Sequence, residues 1–473
     1  MATEQVTGTT AERIGRIESA VLQEPIWRSR GAAPIPLADL MAQQGVPGVS
    51  VAVIHDGALE WARGYGVREA GQPDPVTPDT LFQVCSISKP VTAVAVLRLA
   101  QEGRLDLDED VNRYLRSWSV PANGDWQPRV TLRQLLCHGA GMTVHGFPGY
   151  GADAPRPTLR QVLDGAPPAN TPPVRVNAVP GTQFRYAGGG ISIVQQVLMD
   201  VTGLPFAQLM RELVLDPLEM DHSTYEQPLP ANRQDGAATG HRSEGAPVAG
   251  KWHVYPEQAA AGLWTTPADL ARLAIDIQQA PAGAPGTLLR PDMVARMLTP
   301  QVEEHIGLGF FLEGQGLNQR FAHGGDNEGF KANFLAFSQR GEGVIVTTNG
   351  DLGWIVCDDL TRTVWREYSW PDFPGAPQVR VAFDAAQAAA CAGRYELQPG
   401  YTLEVTLRDG ALYLQPTGQP AFALQPRAAH EYFAEVVDAE ITFEVENGKA
   451  TKLIFKQNGK EMPAPRQEDA TSG

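Results

Sequence analysis

The stretch FQVCSISKPVTAVAVLRLAQEG, Phe82 to Gly103, constrains the fold more than any other. Its pattern predicts a helix from Ser86 to Glu102 that is apolar on almost every face, with Arg98 the main exception. Such a helix is buried on all sides, so a large domain must be built around it. Gly103 supplies its stop, and Pro90 falls within or just past the first turn, where a missing N–H costs little. One residue is out of keeping. Lys89 is the only lysine in the first 250 residues of a chain that writes almost all its positive charge as arginine. Arginine stays protonated, whereas lysine can lose its proton when desolvated or set near other cations. Lys89 therefore either snorkels to water or does a job that arginine cannot.

A chain of 473 residues is long enough for about two or three domains. With 43% hydrophobic and 19% charged residues it has ample core and no signature of disorder. The net charge of −16 argues against nucleic acid and anionic membranes as partners. No run of 18 apolar residues occurs, so no membrane-spanning helix is expected. The N-terminus is polar and acidic and lacks the pattern of a signal peptide, which makes a cytoplasmic location the expectation unless a leader has been removed. Cys85, Cys137, Cys357 and Cys391 form no CxxC pair, and four buried free thiols are expected.

Residues 1–34 read as an extension with a helix over about Ala11–Leu22. Residues 35–372 read as the main domain. It opens on a β-hairpin turning at Asp56-Gly57. A mostly helical lobe follows over about 104–300, with helices in TLRQLLCHG, GGISIVQQVLMDVTG and TPADLARLAIDIQQA. A second hairpin in KANFLAFSQRGEGVIVTTNG and a helix around Trp354–Tyr368 complete it. Residues 373–390 read as a linker. Short alternating runs punctuated by Asp409-Gly410, Asn447-Gly448 and Asn458-Gly459 make 391–466 a small antiparallel β domain. The last residues, from Gln467, read as frayed.

The chain has no GxSxG, HExxH, GxxxxGK[ST] or GxGxxG motif, and its histidines never cluster with cysteines or carboxylates at metal-ligand spacing. His138 and His145 read as structural. Ser86 and Lys89, three apart, share a helix face. A desolvated lysine can accept a serine proton, and the helix N-terminus favours a developing oxyanion. SxxK alone is common, so context decides. Tyr186, followed by Gly188, Gly189 and Gly190, can be presented to a cleft and pass protons near a lysine. His323, Gly324 and Gly325 stand just before a strand, whose edge can bind an acyl group and lend an N–H. Cys85 reads as a small packed residue. Asp326, Asn327 and Glu328 either shape a loop or meet substrate amines.

In this order the three motifs resemble the serine hydrolases of the class C β-lactamase, DD-peptidase and family VIII esterase group. The resemblance spans about residues 40–370 and includes LLCHGAGM and YPEQAAAGLWTTPADLARL. It implies an α+β fold: an antiparallel sheet flanked by helices, with a mostly helical lobe. The C-terminal β domain resembles the small β modules that some members carry. The resemblance also implies that Ser86 is the acylated nucleophile, that Lys89 and Tyr186 pass its proton, and that His323 and Gly324 line the site. The oxyanion would be held by the N–H of Ser86 and that of a residue past Gly325, Asp326. No metal or organic cofactor is implied, and the partner is a small ester or amide. Two positions depart from the group. Gly188 replaces the usual Asn, and His323 replaces the lysine of β-lactamases, which weakens recognition of a carboxylate. Both suit a carboxylesterase first. A D-selective aminopeptidase or DD-peptidase with weak β-lactamase activity is the alternative, and a non-catalytic penicillin-binding-like module the remote one.

Overall fold

The computed structural model describes residues 8–23, 33–372, 381–398, 401–408, 410–419, 421–434, 439–457 and 460–467. Among these, residues 8–21 and 35–372 make one compact unit, and the rest make a second. No helix among the described residues is long and apolar enough to cross a membrane.

The first unit is built on an antiparallel sheet. Its strands are β1 (Gly48–His55), β2 (Ala58–Gly66), β5 (Phe311–Glu313), β6 (Arg320–Asn327), β7 (Phe330–Phe337) and β8 (Gly343–Thr348), in the order β2-β1-β8-β7-β6-β5. A two-residue ladder of β3 (Phe82–Gln83) with β4 (Trp264–Thr265) lies outside it. The β1–β2 turn is made by Asp56 and Gly57, both at positive φ, as a tight right-twisted hairpin requires. β1 is buried along almost its whole length, so both of its faces are covered. Ala52, Ile54, Phe334 and Ile345 share one core with Leu270 and Leu273 of the helix Pro267–Gln279. The helix Gly353–Glu367 packs on β7 and β8.

Helix α1 (Thr10–Ser19) starts on a capping box between Thr9 and Glu12. It is tied to β2 by Arg13–Glu60 at 2.8 Å. It stops three residues short of the expected Leu22, because Val21 leaves to pair its backbone with Ile35. After α2 (Leu37–Gln43) comes α3 (Ser88–Gln101), buried from Ser88 through Leu97. The helical lobe carries α4 (Leu132–Leu136), α5 (Leu159–Asp164) and α6 (Gly188–Thr202), whose apolar faces join the same core as α3.

The second unit is a meander of eight strands from β9 (Gly393–Gln398) to β16 (Lys460–Pro465), each paired with the next. A bridge between Tyr395 and Arg466 joins the ends, giving a barrel-like sheet. Tyr395, Leu412, Leu414, Ile441, Phe443 and Leu453 fill its interior. Asn447 and Gly448 turn one hairpin at positive φ. Of the stretch read as linker, residues 373–380 lie outside the described residues, as do Asp409, Asn458-Gly459 and the tail from residue 468. Ala385–Cys391 is a helix, because the Asp384 side chain accepts from the N–H groups of Ala386 and Gln387. Ala388 and Cys391 enter the barrel core.

Candidate active site

Ser86 precedes the α-helix instead of opening it. It is the middle residue of a 3-10 turn, Cys85–Ile87, that leads into α3. Cys85 is left-handed, with φ of 56°, a conformation that persists only when its surroundings enforce it. Its sulfur lies 3.5 Å from the Gln83 carbonyl oxygen and 3.6 Å from that of Phe330. Burial pushes the Cys85 thiol far up, so it packs and does not react.

Lys89 is 3% exposed. Its Nζ stands 2.8 Å from Ser86 Oγ and donates to the Ala260 carbonyl at 2.7 Å. Among the described residues no carboxylate pairs with it. The Ala260 carbonyl is placed by the short helix Gln258–Ala261. Gln195 Oε1 accepts the Ala259 N–H at 3.0 Å, and the Leu263 N–H donates to Ser88 Oγ at 3.0 Å. The β3–β4 ladder fastens the chain before Ser86 to the chain after Ala261.

The Tyr186 ring is 5.1 Å from Lys89 Nζ and stacks on Phe311 at 6.3 Å. The glycines after it allow close approach. A Cβ on Gly188 would lie 3.0 Å from the Phe147 ring and 3.2 Å from the His145 carbonyl oxygen, so a side chain there would be crowded unless these neighbours gave way. Lys89 is instead held by a backbone carbonyl.

β6 forms the opposite wall. β5 pairs with it only over Arg320–Ala322, so β5 does not cover the run His323–Asp326. Gly325 is required: a Cβ there would be 2.5 Å from the Val84 carbonyl oxygen. That contact presses β6 against the turn carrying Ser86. His323 is buried, and its Nδ1–H donates to the Gly324 carbonyl at 2.6 Å. Burial, helped by nearby Lys89, lowers its pKa to about 3, so it is a neutral ring and not a substitute cation. A cleft of about 570 Å³ joins these parts, lined by Ser86, Tyr186, His323, Phe184, Phe311 and Lys331 among others.

Asp326 and Asn327 end strand β6 instead of lying in a loop, and of the run Asp326, Asn327 and Glu328 only Asp326 faces the cleft. Asn327 is buried and donates to Gln83 Oε1 at 2.9 Å and to the Ala261 carbonyl at 3.1 Å, clamping β6 to the segment that holds Lys89. Glu328 is ion-paired with Arg242. His145, read as structural, lines the cleft 5.0 Å from Tyr186, measured between ring centroids. Lys331 escaped the sequence reading, although FKANFLAF places a lysine in an apolar strand, the same signal that marked Lys89.

The chain matches the Beta-lactamase family over residues 37–363. Residues 377–468 match a domain of unknown function, DUF3471. Protein flp of Staphylococcus aureus (strain MW2) is 26% identical over 223 residues, 47% of this chain and 42% of the relative. A D-aminopeptidase of Gluconobacter oxydans (strain 621H) is 30% identical over 179 residues, 37% of this chain and 32% of the relative. The chain thus spans less than half the length of these curated relatives. The octameric penicillin-binding protein homologue from Pyrococcus abyssi shares the fold, with a TM-score of 0.60 and 20% identity over 90% of this chain and 98% of that one.

Proposed function

The chain belongs to the beta-lactamase family, and from that premise we propose that it is a serine hydrolase that works through an acyl-enzyme and cleaves esters more readily than amides. The observation that carries this reading is Lys89 Nζ at 2.8 Å from Ser86 Oγ, in a cleft that also holds Tyr186. Ser86 Oγ attacks the carbonyl carbon while its proton passes to Lys89. The oxyanion is received by N–H groups of Ser86 and of β6 near Asp326. The carbon–oxygen bond to the leaving group then breaks, and the proton reaches the departing alkoxide by way of Lys89 and Tyr186. Water then attacks the acyl carbon and gives its proton to the same relay; the bond from that carbon to Ser86 Oγ breaks, Oγ takes the proton back, and the acid leaves.

Preference for esters follows from leaving-group chemistry. An alkoxide needs less protonation than an amide nitrogen, and the side-chain amide usual at position 188 is absent. Among the described residues that line the cleft, no free cation awaits a substrate carboxylate: His323 is neutral, and Lys331 is spent on Asp326 and Asp351. The test is paired initial rates on a short-chain p-nitrophenyl ester and D-alanine p-nitroanilide, with Ser86→Ala as blank. The ester should be cleaved fast and the blank should be dead; ester turnover in Ser86→Ala would falsify the reading.

A second reading, a D-selective aminopeptidase, is favoured by the Gluconobacter relative and by Asp326, a carboxylate on the cleft that stays exposed beside its ion pair with Lys331 and that a substrate amine could meet. It requires the D-alanine anilide to be cleaved well ahead of its L-isomer; equal rates on the two would remove it.

A further inference from the structure

We infer that His138 is a positioning residue for Tyr186, fixing that side chain from the residues on either side of it. The inference rests on the proposed role of Tyr186 in proton transfer. His138 touches the Arg185–Tyr186–Ala187 tripeptide at three places. Its carbonyl accepts the Arg185 N–H at 2.8 Å. Its Nδ1 accepts the Ala187 N–H at 3.2 Å. Its ring lies tilted on the Tyr186 ring, with centroids 4.3 Å apart. Two backbone bonds flanking one residue fix its Cα and its Cα–Cβ direction. The ring contact then fixes the phenol that this direction carries.

The residue is held in place at a cost. His138 is 2% exposed and left-handed, with φ of 56°, which a residue with a Cβ adopts only where the fold enforces it. If Nδ1 accepts, the ring proton is on Nε2, and Nε2 is buried with no hydrogen-bond partner among the described residues. A buried, unsatisfied polar atom on a strained backbone calls for an explanation. Holding Tyr186 supplies one. The ring must also stay neutral, because an imidazolium cannot accept through Nδ1. Burial, reinforced by Lys89, holds its pKa well below the ordinary value and keeps it so. The acceptor nitrogen aimed at Ala187 is what distinguishes histidine here.

Three variants separate the parts. His138→Asn keeps an acceptor oxygen where Nδ1 stands and tolerates the left-handed backbone, but loses the outer ring. His138→Gly keeps the backbone and loses both acceptor and ring. His138→Phe keeps a ring and loses only the acceptor, and it serves if the glycine variant does not fold. The readouts are kcat and KM on the p-nitrophenyl ester and hydrogen exchange across residues 184–188. His138→Gly should lower kcat about 100-fold at unchanged KM, the scale of a misplaced catalytic group. His138→Phe should follow it in direction, and exchange at Ala187 should accelerate in both. His138→Asn should hold kcat within about 10-fold, one lost neighbour rather than a lost position, and keep Ala187 protected. Wild-type kcat in His138→Gly or His138→Phe overturns the inference. So does an equal loss in all variants with Ala187 exchange unchanged. If the wild-type Ser86 resists a fluorophosphonate while Ala187 exchange still responds, the hydrolase reading falls and the positioning stands.

Discussion

Two lysines are buried at this site, and they are not alike. Lys89, on α3, meets a hydroxyl and a carbonyl. Lys331, on β7, meets Asp326 at 2.9 Å, Asp351 at 3.2 Å and the Asn327 carbonyl at 3.1 Å. Burial alone would lower the pKa of Lys331, but its hydrogen bond and charge interaction with Asp326 outweigh that and raise it. It is a permanent ammonium with all three donors in use. The lesson is that burial does not decide what a lysine does; its partners do. The helix wall offers an amine that no carboxylate neutralises, beside a hydroxyl. The sheet wall offers a cation already consumed in holding β6, β7 and the chain after β8 together.

The same substitution at both sites gives the largest effect and the sharpest contrast. Lys89→Met should lower kcat on the ester by about 1,000-fold or more, the scale of a lost general base and its positioning. Its urea midpoint should change little, since the lost bond to the Ala260 carbonyl is set against removal of a buried polar group that has no carboxylate partner among the described residues. Lys331→Met should keep kcat within about tenfold but lose about 1–3 kcal/mol of stability, because the ion pairs to Asp326 and Asp351 go and, among the described residues, the Asp351 carboxylate keeps only the Gly329 N–H. Equal losses of activity in the two variants would erase the distinction between the walls.

A smaller effect separates two neighbours on the sheet wall. Gly325→Ala puts a Cβ 2.5 Å from the Val84 carbonyl oxygen, and backbone cannot swing aside there. β6 must retreat from the turn carrying Ser86, and a shift of that kind costs about 100-fold in kcat/KM. Gly324→Ala meets nothing within 4 Å and should stay within about twofold. Ester kinetics on the pair decide it: equal behaviour would mean that β6 is not pressed against the nucleophile turn.

These contrasts also mark what was legible in the sequence. Ser86 and Lys89 sit three apart, so their meeting is a local fact of one helical turn, and the spacing announces it. The hairpin at Asp56-Gly57 and the cap of Thr266 on the helix Pro267–Gln279 are equally local. Long-range facts were hidden. Nothing in LLCHGAGM says that His138 lies against Tyr186, and nothing in FKANFLAF says that Lys331 finds two carboxylates. The crowding at Gly188 depends on Phe147, brought in by a separate loop. The joining of the β domain through Tyr395 and Arg466 needs both ends of a meander to meet. Ala385–Cys391 went unread as a helix because AAQAAAC shows no apolar stripe; its cap residue, Asp384, was the available signal.

A third buried site extends the comparison to a carboxyl with no side-chain partner among the described residues. Glu257 precedes the short helix whose Ala260 carbonyl holds Lys89, and both of its carboxyl oxygens are buried without a hydrogen bond among the described residues. Desolvation raises its pKa from 4.5 to about 7. An acid raised in the folded state keeps its proton longer there than in the unfolded chain. Below pH 4.5 both states are protonated and stability is full. Between 4.5 and about 7 only the unfolded chain releases the proton, so stability falls, and above about 7 the deficit stays constant. The deficit amounts to about 3 kcal/mol. Glu257→Gln removes the charge without changing the shape, so the variant should match the wild type in a urea melt at pH 4. At pH 8 it should exceed the wild type by about 3 kcal/mol. Ester turnover should change least of all, since the carboxyl bonds to none of the reacting groups. A variant less stable than the wild type at pH 8 would mean that the carboxylate has a partner and that the helix anchoring Lys89 depends on it.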